Sequence, residues 1–164
     1  MAEPLTFTFD DDGAIPNSRL PLLVYRDAVP AEPASIERLF AANRWPPAWR
    51  DGVYRFHHFH STAHEVLGVA RGEMSVLFGG PGGKVLTVRA GDVVVVPAGV
   101  GHCNQGQSDD LLIVGAYPDN GPGPDLRRGK REEHDAVVRA IAAVPLPPAD
   151  PVEGTDGGLT IKWV

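Results

Sequence analysis

A chain of 164 residues has room for one domain with its own hydrophobic core, held by neither disulfides nor a structural metal. The formal net charge of -6 excludes the basic footprint of a nucleic-acid binder, because Arg127, Arg128, Lys130 and Arg131 are interleaved with Gly129 and followed at once by Glu132 and Glu133. No apolar run approaches a membrane span, MAEPLTFTFDDDG lacks the basic and apolar regions of a signal peptide, and the lone Cys103 cannot close an internal disulfide, so the expectation is a soluble cytoplasmic protein.

The elements are read as one domain, 1–164. Residues 1–30 form an extended arm. Leu5, Phe7 and Phe9 alternate with threonines, the period of a strand with one buried face. In Leu20 to Tyr25, Pro21 demotes the apolar run to an edge strand or docked arm. Residues 32–44 are predicted helical, with Pro33 in the first turn and Ile36, Leu39 and Phe40 on one face; Pro46 ends the helix.

From 52 to 118 the texture changes to the barrel core. VYRFHHFH, EVLGVA, EMSVLFG, KVLTVR, DVVVVP and LLIVGAY read as short strands, separated by glycine-rich turns with no room for crossover helices. That pattern predicts antiparallel pairing in a sandwich or barrel. The valines of DVVVVP read as core on both faces. Residues 119–164 are a C-terminal helix and wrap: a loop, a helix from near Arg131 to Ala143, a proline-rich stretch, and LTIKWV as a possible last strand.

The chemistry concentrates in HHFHSTAHE, which holds four of the six histidines. Strand parity puts His58 and His60 on one face and His57 on the other. A short turn then brings Glu65 beside His58 and His60, with Leu67 and Val69 on the same face as Glu65 and expected to line the cavity. The later histidine of the strand region, His102, follows the PAGVG turn. Three imidazoles and a carboxylate suit a first-row divalent ion, Mn, Fe, Co, Ni, Cu or Zn, better than Ca²⁺ or Mg²⁺. Four protein ligands on a six-coordinate ion leave two positions open, as catalysis requires. His57 and His64 are read as pointing away, His64 being kept as an acid/base candidate near the cavity mouth. Tyr117 is a candidate pocket hydroxyl that reads equally as a packed aromatic. Cys103 reads as a small buried thiol.

These residues resemble the cupin superfamily. Its first motif is matched at Gly52, His58, His60, Glu65 and Gly72, and its second at Gly91, Pro97, Gly99 and His102. The chain departs where the second motif has asparagine: Gly106 stands there, and Asn104 lies two residues after His102. The texture IPNSRLPLLVY, GDVVVVPAGVGH and VGAYP is also similar to a bacterial group of small single-domain cupins. The resemblance implies an all-β double-stranded β-helix, a jelly-roll barrel, here with two short peripheral helices, and one transition metal held by His58, His60, Glu65 and His102. It also implies a homodimer, to which the N-terminal arm would contribute. For function it implies a metal-dependent enzyme on a small organic substrate, of dioxygenase, decarboxylase or isomerase type. The alternative is a non-catalytic module that binds a small molecule.

Overall fold

The computed structural model describes residues 3–164. Its nine strands are β1 (Leu5–Phe7), β2 (Leu22–Tyr25), β3 (Pro47–Asp51), β4 (Glu65–Arg71), β5 (Glu73–Phe78), β6 (Lys84–Arg89), β7 (Val93–Val96), β8 (His102–Gln107) and β9 (Leu112–Ala116). Three helices join them: α1 (Pro33–Ala42), α2 (His134–Ala143), preceded by a 3₁₀ turn over Arg131–Glu133, and α3 (Gly158–Lys162). The strands make two antiparallel sheets, one in the order β1-β2-β7-β4-β9-β3 and the other β6-β5-β8. The expectation of a β-rich, antiparallel chain with few helices holds at this level.

The two faces of the larger sheet explain its sequence. Strand β7 is valine throughout because both its faces are buried. Val94 and Val96 join Leu67, Val69, Met74, Val76, Phe78 and Ile113 between the sheets. Val93 and Val95 pack on the opposite side with Ile36 and Phe40 of α1, Trp45, Leu159 and Trp163. The first helix is capped by Glu32, whose carboxylate accepts from the amides of Ala34 and Ser35.

Local reading fails at four places. Residues 53–60 are not a continuous strand; they run as a loop tied to β8 by the His58–His102 bridge and by the Asn104 amide, which donates to the Tyr54 carbonyl, and tied to the later chain by a bridge between Phe59 and Arg127. The pairing beside β9 is made instead by β3, read as a helix terminator because of its prolines. As the sheet edge, β3 leaves one side unpaired and tolerates Pro47. Second, β2 is interior, between β1 and β7; Pro21 lies just before it and costs no ladder bond, and the edge falls to β1 with its exposed Leu5. Third, β8 carries few apolar side chains and escaped the pattern. Fourth, residues 158–162 are helical, a third helix where a strand was expected, with Leu159 and Trp163 turned into the core.

Buried polar groups tie the C-terminal wrap to the sheet. Asp150 is fully buried and accepts from the Tyr25 hydroxyl and from the amides of Val152, Glu153 and Leu159. Burial and the Asp150 carboxylate push the Tyr25 phenol far above its ordinary value, so it stays a donor. The Trp45 indole donates to the Ala149 carbonyl at 2.9 Å and the Trp163 indole to Pro21 at 2.8 Å. Asp150→Ala leaves one hydroxyl and three amides without an acceptor and is expected to destabilise the fold by about 3 kcal/mol, read as a lower urea midpoint. An unchanged midpoint would show that the wrap is held by packing alone.

Candidate metal centre

The site begins where the 53–60 loop crosses the start of β8. His58 and His102 form a bridge in which each backbone amide donates to the other's carbonyl, at 3.2 and 2.9 Å. In the turn before β8, three residues ahead of His102, the Gly99 amide donates to the His60 carbonyl at 2.8 Å. The turn needs glycine at 99. Its φ is +96°, and a Cβ there would lie 2.3 Å from the Asn17 carbonyl oxygen. This crossing, not a continuous strand, sets His58 and His60 against His102.

One ring nitrogen from each of His58, His60 and His102 lies within 4.8 Å of the others, so the three could hold a metal ion. Glu65, at the start of β4, closes the group: its carboxylate oxygens are 3.2 Å from His102 Nε2 and 3.4 Å from His60 Nε2. The opposite nitrogen of each ring is already used. Nδ1 faces a backbone carbonyl in all three, Phe56 at 2.9 Å for His58, Val100 at 3.1 Å for His102, and Asp125 for His60. A carbonyl only accepts, so each Nδ1 carries the proton and each Nε2 presents a lone pair to the centre. Such fixing of the outer nitrogen is what orients imidazoles toward a metal.

Glu65 is 3% exposed, and burial by itself favours its neutral form. The imidazoles of His102 and His60 outweigh this and hold the carboxyl far below the usual range. Burial also works against the His60 cation, but the Glu65 carboxylate and the Asp125 carbonyl raise the ring overall. His58 is lowered to about 3 by burial and the facing His102. The carboxylate and the imidazoles that face it need positive charge between them, which either ring protons or a metal ion bound to the Nε2 lone pairs can supply. The donor set fits a transition-metal ion.

Above the cluster opens a cavity of about 640 Å³, within the range of small-molecule sites. Leu67 lines it, as expected, whereas Val69 lies deeper, in the core between the sheets. Tyr117 lines it too; its hydroxyl accepts from the Trp49 indole at 3.0 Å and its ring meets His60 edge-on. Trp49 occupies the space over Gly115, where a Cβ would come within 2.0 Å of the indole.

His64 is not at the mouth of this cavity. It lies on the other side of β4 against Trp163, its Nδ1 accepting from the Ala98 amide at 2.8 Å, and burial lowers it to about 4. It borders a separate hollow between the N-terminal arm and α2. Cys103 is buried beside Gln105, turned from the cluster. Asn104 supports the site from a shifted position: its amide group reaches the Val53 carbonyl and Gln107, and its oxygen accepts from Gly106 across the bulge between β5 and β8.

The residues that sequence reasoning missed sit on a strap. Residues 123–127 lie alongside 59–62: Phe59 and Arg127 exchange backbone bonds, Thr62 donates to the Gly123 carbonyl, and the Asp125 carboxylate accepts from both the amide and the hydroxyl of Ser61. Pro124, Asp125 and Leu126 thereby wall the cavity. In the sequence the strap reads only as a loop; its one signal is Asp125 two residues before Arg127, with which it pairs at 2.9 Å. Trp49 and Gln107 carried no motif signal.

Three comparisons bear on these features. The cupin family model matches residues 50–126, a span that includes all four clustered residues. An uncharacterised protein of Bacillus subtilis (strain 168), YjlB, is 39% identical over 163 residues, covering 99% of this chain and 98% of its own length. Among solved structures, that of "The Substrate Binding Mode and Chemical Basis of a Reaction Specificity Switch in Oxalate Decarboxylase" matches with a TM-score of 0.35 and 18% identity, over 64% of this chain and 22% of that one, so the chain spans about a fifth of its length. No helix among the described residues is long and apolar enough to cross a membrane. With a relative matched almost end to end and the family model laid over the crossing that joins His58 to His102, the chain belongs to the cupin family.

Proposed function

We propose that this cupin is a metal-dependent enzyme acting on a small organic molecule, with His58, His60, Glu65 and His102 as ligands of one divalent transition metal. The two sheets are read as the halves of a jelly-roll barrel enclosing that centre. The observation that carries the reading is the set tautomer of the three imidazoles: each Nδ1 is spent on a backbone carbonyl, and the Nε2 atoms of His60 and His102 face the buried Glu65 carboxylate at the floor of an open cavity. When bound, Mn, Fe, Co, Ni, Cu or Zn would supply Lewis acidity toward substrate oxygens or an open position for O₂.

The chain's own residues do the rest. Leu67 and Leu111 keep the inner wall apolar, and Trp49 fixes the Tyr117 hydroxyl at the cavity surface. Burial and the neighbouring Glu65 raise the Tyr117 phenol well above its ordinary value, so it meets a substrate as a hydrogen-bond donor. The reading covers dioxygenase, decarboxylase and isomerase chemistry. A cytoplasmic homodimer, with Cys103 as a free buried thiol, belongs to the same reading.

One observation favours a binding module instead. The acids that line the cavity beyond Glu65 are engaged: Asp51 accepts from the Gly52 amide, and Asp125 serves Ser61 and Arg127. Turnover separates the two. Metal-replete protein incubated with cell-extract metabolites, with and without O₂, is expected to convert at least one of them, followed by mass spectrometry. A metabolite that co-purifies and is returned unchanged in both conditions would establish the binder.

Two outcomes test the centre itself. Protein purified without a histidine tag is expected to carry close to one transition-metal ion per chain by elemental mass spectrometry, and His102→Ala to lower metal affinity by about 10- to 100-fold or more. A metal content that is low and indifferent to the substitution would sink the ligand set. Occupancy should also fall with pH. Protons compete for His60 and the other imidazoles, so metal is retained at neutral pH and released as pH drops below about 6. Full occupancy at about pH 4 would count against three histidine ligands.

A further inference from the structure

The walls of the cavity restrict what can approach the centre. Among the described residues no lysine or arginine lines it. Three nearby cations are engaged elsewhere. Arg127 is held between Asp125 and Glu133, at 2.9 Å from each, and Arg50 pairs with Glu37 at 2.6 Å. Arg128 lies over the Phe56 ring, 3.6 Å from its centre. The charged groups that do line the cavity beyond the cluster are acidic, Asp51 and Asp125. The remaining surface is largely aromatic or aliphatic, including Trp49, Leu67, Leu111 and Leu126. Gln107 adds one amide: its Oε1 accepts from Asn104 at 2.7 Å, which leaves its N–H₂ group as an uncharged donor.

The donor set fixes how much negative charge this enclosure can balance. One carboxylate and three neutral imidazoles offset one of the two charges of a divalent ion, leaving one. A ligand carrying a single negative charge completes the balance. A dianion or trianion leaves uncompensated charge in a partly enclosed site whose other charged walls are carboxylates, with no guanidinium or ammonium to meet it. Apolar walls in turn reward a ring or branched hydrocarbon body, which a small polyanion lacks.

We infer that the cavity selects molecules with an aromatic or branched apolar body and one neutral or singly charged oxygen-chelating group, and that it discriminates against dicarboxylates and phosphates. This rests on the ligand set proposed above. The cavity of about 640 Å³ has room for such a body above the cluster.

The test uses the full chain loaded with Co(II), whose visible absorption reports both metal and ligand. Tropolone, a planar monoanionic chelator, and oxalate, a dianionic chelator of the same bite, are titrated separately. Tropolone is expected to bind at least about tenfold more tightly, without loss of cobalt. Leu126, 47% exposed on the strap, tolerates a charge without disturbing the core. Leu126→Arg is expected to raise oxalate affinity about tenfold at unchanged cobalt content. Oxalate binding as tightly as tropolone to the native chain overturns the inference, as does a cobalt-loaded protein that binds neither probe or an arginine variant that gains nothing. Absence of a cobalt spectrum before any probe is added marks failure of the ligand set itself, and the inference falls with it.

Discussion

The structure turns on a constraint at three ring nitrogens. Because the Nδ1 atoms of His58, His60 and His102 each face a backbone carbonyl, their tautomers are set by the chain and not by the solvent. Their Nε2 lone pairs are then committed to the interior, where the Glu65 carboxylate already lies. A buried gathering of lone pairs and negative charge is costly unless a cation sits among it.

That packing is divided between two cores. Valines of β7 serve both, one pair facing the second sheet and the other facing α1 and the C-terminal wrap. Strand β4 does the same with chemistry on one end: Glu65 and Leu67 turn to the cavity while His64 and Val66 turn to the other side. A rigid, doubly buried β4 gives Glu65 a fixed position, which a ligand on a solvent-facing strand would not have. The cavity wall is built more loosely from the edge strand β3, which supplies Trp49, and from the strap, which supplies Asp125 and Leu126. The strap also carries the carbonyl that orients His60, so wall and ligand are mechanically one unit.

Legibility followed the physical origin of each feature. Period-two alternation and glycine turns made most strands visible, and the spacing of His58, His60, Glu65 and His102 made the cluster visible. Strand β3 was hidden because Pro47 is compatible with a strand only at an edge, and edge status belongs to the sheet, not to the segment. Strand β8 was hidden because HCNQGQ is mostly polar or small, its hydrogen bonds to β5 supplying what side-chain pattern did not. Residues 159–164 read as a possible last strand, but packing of Leu159 and Trp163 into the core beside α1 goes with a helix instead.

The sequence by itself determined which residues could chelate and that the chain is built of short antiparallel strands. Those properties depend on residue type, parity and turn chemistry, which are local. Only the tertiary structure decided that His58 and His60 sit on a bridged loop instead of a strand, that His64 is removed to another hollow, and that no cation lines the cavity among the described residues. The strap and β3 reach the site from far along the chain, and which distant segments pack together depends on the whole set of long-range contacts, which no local pattern encodes.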